Sequence, residues 1–154
     1  DQHPALAFRL AVSNREAVVD ALAANAVDLA IMGRPPQALE TVAASFAPHP
    51  FVVIAAPGHP LARRRRLPVA ALAEESFLVR EPGSGTRTAM QGYCDEHGVV
   101  VRIGMEMASN ETIKQAVMAG MGVAFISRHT ISLELATGRL CVLDVQGLPL
   151  MRRW

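Results

Sequence analysis

The chain has 154 residues, 51% of them hydrophobic, which is enough for one domain or two small lobes with a real core and excludes a disordered chain. Fifteen basic residues stand against 14 acidic ones, so at a net charge of +1 no global field favours nucleic acid, and any such contact must be local. The two cysteines, Cys94 and Cys141, form no CxxC pair and lie in apolar segments, as reduced core residues of a cytosolic protein do, and no apolar run approaches the roughly 20 residues of a membrane span.

In chain order, LAFRLAV (6–12) reads as a strand. Ser13 and Asn14 offer caps for a helix over about 14–25, with Glu16 in its first turn and Ala17, Val18, Ala21 and Leu22 at helical spacing. VDLAIMG (27–33) is a short buried strand, so residues 6–33 are predicted to form a βαβ unit with parallel strands. Gly33-Arg34-Pro35-Pro36 stops regular structure, and residues 37–50 are irregular. FVVIAAP (51–57) is the next strand, followed by a loop carrying four arginines, Arg63 to Arg66. A short helix (69–76) and the strand FLVR (77–80) lead to the turn EPGSGT.

A helix from about Thr86 to His97 follows, with Gly98 just past its end. VVVRIGMEM (99–107) is a strand, and Ser109 and Asn110 cap a helix to about Gly120 whose buried stripe is Ile113, Ala116, Val117 and Met121. A strand (122–127), a helix (129–137) ended by Gly138 and a strand (139–145) complete an alternating pattern, which makes the fold α/β. The interruption at 34–50 and the return at 146–150 read as crossings between lobes. One lobe is then residues 1–49 plus 147–154, and the other is 50–146. The chain starts at Asp1, and LPLMRRW (148–154) reads as a strand that begins and stops, so it is expected to be an internal piece of a longer protein. No stretch reads as a signal peptide.

The chemistry concentrates at strand-to-helix turns. Gly83, Ser84, Gly85, Thr86 and Arg87 open a helix, whose first backbone N–H groups are unpaired and favour an anion. Glycine lets an anion approach the backbone, Ser84 and Thr86 add hydroxyls, and Arg87 adds a guanidinium. Against this stands ordinary capping by Ser84 or Thr86. The turn is not a Walker loop, because the sole lysine is Lys114. It is a poor dinucleotide fingerprint, because Thr88 replaces the third glycine, although Glu106 stands where a ribose-binding acid would.

Asn14 with Arg15, Arg34, and Asn110 in MASNETI (107–113) mark further strand ends or junctions. In parallel sheets ligands gather at the carboxyl ends of strands, and these clusters occupy that edge. The four arginines lack interleaved aromatics and read as a solvated loop. The five histidines show no metal-ligand spacing, Glu74 and Glu75 imply no acid–base couple, and no GxSxG motif occurs, so the residues describe a binding rim with no cofactor, metal or reactive group.

The ordered series NREAVVDALAANAVDLAIMGRPP, FVVIAAPGHPLA, FLVREPGSGTR and SNETIKQAVMAGMGVAFISRHTISLELATGRLCVLDVQGLPLMRRW resembles the effector-binding domain of LysR-type transcriptional regulators. It is most similar to the subgroup controlling Calvin-cycle carbon-fixation operons. The resemblance implies a two-lobed fold like type 2 periplasmic binding proteins, with lobes joined by two crossover strands and a small molecule bound between them. It implies a cytoplasmic homodimer or homotetramer that binds DNA only through an N-terminal helix-turn-helix outside this chain. It implies an effector held by Asn14, Arg15, Arg34, Ser84, Gly85, Thr86 and, less regularly, Asn110, with the effector a phosphorylated sugar, phosphoenolpyruvate or NADPH. The family's first strand and long helix, and its last strand and helix, have no counterpart in these residues. The rival readings are a transporter's solute-binding protein and an enzyme on the same fold. Neither export signal nor acid–base constellation supports them.

Overall fold

The structure, a computed structural model, describes residues 6–154, so the first residues of the expected first lobe, with His3, lie outside the described residues. The apolar run predicted at 51–57 forms an eight-residue strand, β1 (Pro48–Ala55), on which the rest is assembled. Before it lies one helix, α1 (Arg15–Ala23), capped by Asn14, whose Oδ1 accepts from Ala17 N at 3.0 Å. After β1 come a 3-10 turn (Val69–Leu72), β2 (Ser76–Arg80), α2 (Gly85–Glu96), β3 (Arg102–Met107), α3 (Asn110–Met118) and β4 (Ala124–Ser127). A second 3-10 turn (Arg128–Ile131) runs into α4 (Ser132–Ala136), followed by β5 (Cys141–Val142) and β6 (Leu150–Arg153).

β1 is antiparallel to β4, β5 and β6. Phe51 lies opposite Ser127 on one side and Leu150 on the other, so β1 leaves the sheet with β6 as its companion. The paired segments, Pro48–Phe51 and Leu150–Arg153, overlap the connections predicted at 34–50 and 146–150 only at residues 48–50 and 150. β2 and β3 are parallel, with α2 crossing between them, and hydrogen bonds Leu78 N to Val123 O and Val123 N to Ser76 O, both 2.9 Å, set β2 beside the entry to β4. A parallel βαβ unit is therefore present, but at 76–107.

The unit predicted at 6–33 is absent. Residues 6–12 and 27–33 form no strand, and their alternating apolar side chains are exposed: Phe8 by 88%, Leu10 by 87%, Val12 by 87% and Leu29 by 80%. A strand needs a neighbour for its N–H and C=O groups, and neither segment has one among the described residues. Four smaller differences follow from packing. The helix predicted at 69–76 is a single 3-10 turn. The strands predicted at 99–107 and 139–145 are shortened to β3 and β5. Met121 is exposed, because Gly120 (φ +78°) ends α3 first, and Lys114 takes a buried place on that helix. Cys94 is buried, but Cys141 only half so.

The sheet is covered on both faces, which is why β1, β2 and β4 read as unbroken apolar runs. Phe51, Val53, Phe77, Val79, Val123 and Phe125 pack with Met90 and Tyr93 of α2 on one face. Val52, Ile54, Leu78, Ala124 and Ile126 pack with Ile113 and Val117 of α3 and with Ile131 on the other. α2 ends in a Schellman motif: Gly98 N donates to Asp95 O and Val99 N to Cys94 O, with Gly98 at φ +64°. Between α3 and α4, buried Lys114 donates to Glu134 Oε1 and Thr130 O, both at 2.9 Å, and pairs with Glu111 at 2.6 Å.

Where β1 and β6 leave the sheet, His49 is buried. Its Nε2 is 2.9 Å from Ser127 Oγ, and its ring stacks on Trp154 at 3.9 Å and tilts against Phe51 at 4.4 Å. Burial, followed by the positive potential of His129, lowers its pKa to about 4.

Candidate functional site

Ser84 is the N-cap of α2, yet its side chain makes no capping hydrogen bond. The helix is opened by backbone instead: Ser84 O accepts from Thr88 N at 3.1 Å and Ser84 N donates to Glu81 O at 3.2 Å. The N–H groups of Gly85, Thr86 and Arg87 precede the first i→i−4 bond and carry the helix's positive end.

The start of α1 lies against this turn. Glu16 N donates to Gly83 O at 3.3 Å, and Arg15 runs over Gly85, whose absent Cβ would sit 3.7 Å from Arg15 Cδ. That is ordinary contact, so space does not require glycine at 85. At Gly83 it does: φ is +81°, and a Cβ would collide with Glu16 Oε2. Among the described residues, Arg15 Nη1 is buried and has no hydrogen-bond partner. A buried guanidinium N–H without an acceptor is costly.

The third junction is tied in by two residues that the sequence reading passed over. Arg80, at the end of β2, donates from Nε and Nη2 to both carboxylate oxygens of Glu81 at 2.7 and 2.9 Å, and from Nη1 to Asn110 Oδ1 at 2.9 Å. The hydrogen bond from Arg80 holds the Glu81 carboxyl below its usual range, and the Asn14 side chain adds to this. Asn110 opens α3, where Ser109 supplies the cap through Oγ to Thr112 N at 3.1 Å. An Arg-Glu pair at the carboxyl end of a strand, immediately before a glycine turn, was the available signal.

Asn14, Arg15, Ser84, Gly85 and, through Arg80, Asn110 are thus brought together. Two of the expected residues stand differently. Arg87 is paired with Glu106 and donates to Arg80 O at 3.0 Å, so it is not a free donor at the turn. Arg34 is exposed in a bend and joins no ion pair among the described residues. An open hollow of about 270 Å³ beside the turn is lined by Pro82, Gly83, Arg87, Thr88 and Gln91, and takes in neither Arg34 nor Asn110. Arg63 to Arg66 are all exposed. No group of three His, Cys, Asp or Glu that would hold a metal occurs among the described residues, and none of their helices is long and apolar enough to cross a membrane.

The family model described as LysR substrate binding domain matches residues 1–154. Among curated relatives, a RuBisCO operon transcriptional regulator of Allochromatium vinosum is 50% identical over 153 residues, covering 99% of this chain and 51% of that protein. The HTH-type transcriptional regulator CbbR of Rhodospirillum rubrum is 51% identical over 152 residues, covering 99% of this chain and 50% of that protein. The chain thus spans about half the length of these relatives. Among solved structures, the Synechocystis PCC6803 CcmR regulatory domain, in complex with 2-PG, superposes with a TM-score of 0.94 at 40% identity, over 99% of this chain and 74% of that one. The effector-binding domain of QuiR, in complex with shikimate, gives 0.86 over 99% of this chain and 72% of that one; at 19% identity it bears on the fold alone. The fold is α/β, of the type 2 periplasmic-binding-protein kind, and the chain belongs to the LysR substrate-binding-domain family.

Proposed function

We propose that this chain is the effector-sensing part of a LysR-type regulator of carbon-fixation genes and binds a small anionic metabolite at the α1–turn–α3 junction. The observation that carries the reading is the buried, unpartnered Nη1 of Arg15, laid over Gly85 beside the free N–H groups of α2. A guanidinium and a helix N-terminus on one spot both favour negative charge. The CcmR domain's complex with 2-PG, 2-phosphoglycolate, supports a compact phosphorylated ligand. Phosphorylated sugars, phosphoenolpyruvate and NADPH are the other candidates. Asn14, Arg15, Ser84, Gly85 and Thr86 would contact the ligand, with Asn110 held from below by Arg80. Arg34 would have to swing in from its exposed bend, and Arg87 would have to leave Glu106.

The lobes would be residues 1–49 with 147–154, and residues 50–146. Binding between them would shift the population of lobe angles, with β1 and β6 as the connection. DNA contact would lie in the remaining half of the longer protein, in the cytoplasm. A homodimer or homotetramer is supported by the outer edge of β3, where Ile103 is 47% exposed, and by Val100 just before it, 86% exposed. The relatives are transcriptional regulators, which supports a sensor over an enzyme.

The test is calorimetric titration with 2-phosphoglycolate, phosphoenolpyruvate, a sugar bisphosphate and NADPH. Thr86→Val is expected to weaken the bound ligand by about 0.5–1.5 kcal/mol and Arg15→Gln by about 1.5–3, the difference between a neutral and a charged donor. If both variants keep their fold and neither changes affinity for any of the four, the turn is only a helix start.

A further inference from the structure

Three arginines stand around the turn, Arg15, Arg80 and Arg87, and so do three glutamates, Glu16, Glu81 and Glu106. Two arginines are already engaged, Arg87 by Glu106 and Arg80 by Glu81. The second pair is the unusual one. Two parallel N–H···O bonds at 2.7 and 2.9 Å form the fork that arginine uses to grip a ligand carboxylate or phosphate. Here a side chain of the same protein fills it. Glu81 sits at the entry to the turn, and its carboxylate is also within the influence of Asn14, the cap of α1. Arg80 reaches Asn110 of α3 with its remaining nitrogen. The Arg80–Glu81 pair therefore ties the turn to the start of α3. The Glu81 side chain is 20% exposed, so water can receive it if it lets go.

We propose that Glu81 is an internal counter-anion of the effector site: it occupies Arg80 in the empty site and yields Arg80 to the phosphate or carboxylate of a bound effector. The inference rests on the anion reading of the turn. Because one charge-assisted pair replaces another, the exchange adds little net affinity for an anion. It does impose a requirement, since a neutral analogue has nothing to offer Arg80 and cannot displace Glu81. The exchange also carries a signal. Asn110 already takes the remaining nitrogen of Arg80, so the contact between the turn and α3 changes with the occupancy of Arg80.

The experiment titrates this chain with 2-phosphoglycolate, in the wild type and in Glu81→Gln, Glu81→Asp, Arg80→Gln and the Glu81→Gln/Arg80→Gln double variant, each checked for fold by circular dichroism. Glu81→Gln is expected to bind about tenfold tighter, the worth of one charge-assisted hydrogen bond, whereas Arg80→Gln should change affinity little, because the exchange it removes is nearly neutral. The gain from Glu81→Gln should vanish when Arg80 is also changed. Glu81→Asp keeps the charge but shortens the arm, so it cannot close the fork, and it too should bind tighter. An equal gain with and without Arg80, or no gain in Glu81→Asp, would mean that Glu81 merely repels the ligand, and overturns the proposal. So does an unchanged or weakened Glu81→Gln. If Thr86→Val and Arg15→Gln weaken binding while these outcomes fail, only the counter-anion falls. If they too have no effect, the anion site falls with it.

Discussion

Acidification from pH 7.5 to 4.5 should destabilise this protein through one residue, His49. Its ring is 6% exposed, stacked on Trp154, and hydrogen-bonded to Ser127 Oγ; burial above all lowers its pKa to about 4, against 6.5 for the free side chain. The unfolded chain therefore binds more protons between these values, and stability rises with pH there. It is fully present above pH 6.5 and is lost as pH falls towards 4. Two units of that window, at about 1.36 kcal/mol each, amount to about 2.7 kcal/mol at pH 4.5. The carboxyls held low by their partners, Glu81 by Arg80 and Glu134 by Lys114, titrate below their ordinary 4.5 and leave this window largely to histidine. The assay is urea unfolding at the two pH values, followed by the fluorescence of Trp154, the sole tryptophan, whose ring lies 3.9 Å from the titrating one. His49→Phe should flatten the dependence. A wild type equally stable at both pH values, or a His49→Phe variant as acid-sensitive as the wild type, would refute the reasoning.

Three further outcomes are expected. Lys114→Ala leaves the Glu134 carboxylate, 11% exposed, without its cation and should cost about 3–5 kcal/mol in urea unfolding, as broken buried pairs do. Gly83→Ala must hold φ at +81° and push Glu16 aside, so it should lose at least about 1–2 kcal/mol and loosen α1 from the turn, whereas Gly85→Ala, with ordinary contacts, should fold as the wild type does. The chain by itself should bind duplex DNA only weakly, with affinity lost at moderate salt in fluorescence anisotropy; sequence-selective binding abolished by substituting Arg63 to Arg66 would turn that exposed loop into a site.

The chain from residue 48 onward was legible because its elements carry their own partners. β1, β2 and β4 are apolar on both faces and find helices on both, and Gly98 and Gly138 close α2 and α4 at left-handed φ, where the sequence placed them. The first 33 residues show the limit of pattern reading. Alternation at 6–12 and the run at 27–33 are strand-like, but periodicity states only which side chains would share a face. It does not supply the neighbour that takes the backbone hydrogen bonds. α1 formed nonetheless, since a helix closes its bonds within itself and needed only the Asn14 cap.

The same distinction governs the site. Residue types at the ends of strands pointed to the β2–α2 turn and to the starts of α1 and α3, and Arg15 does arrive at Gly85. What residue types could not give is who is already bound to whom. Arg87 was counted as charge available to a ligand, yet Glu106, 19 residues on, takes it; Glu81, adjacent to Arg80, was not counted at all, yet it sets how much of Arg80 a ligand can claim. Read by composition the rim is basic, whereas with its pairs in place it is nearly neutral, with one buried donor open. If an anion binds there, as proposed, it would enter by exchange with a glutamate rather than by attraction alone, and its affinity would depend less on the number of arginines than on how readily each glutamate is released. The contact between Arg80 and Asn110 would then be the one that a ligand alters.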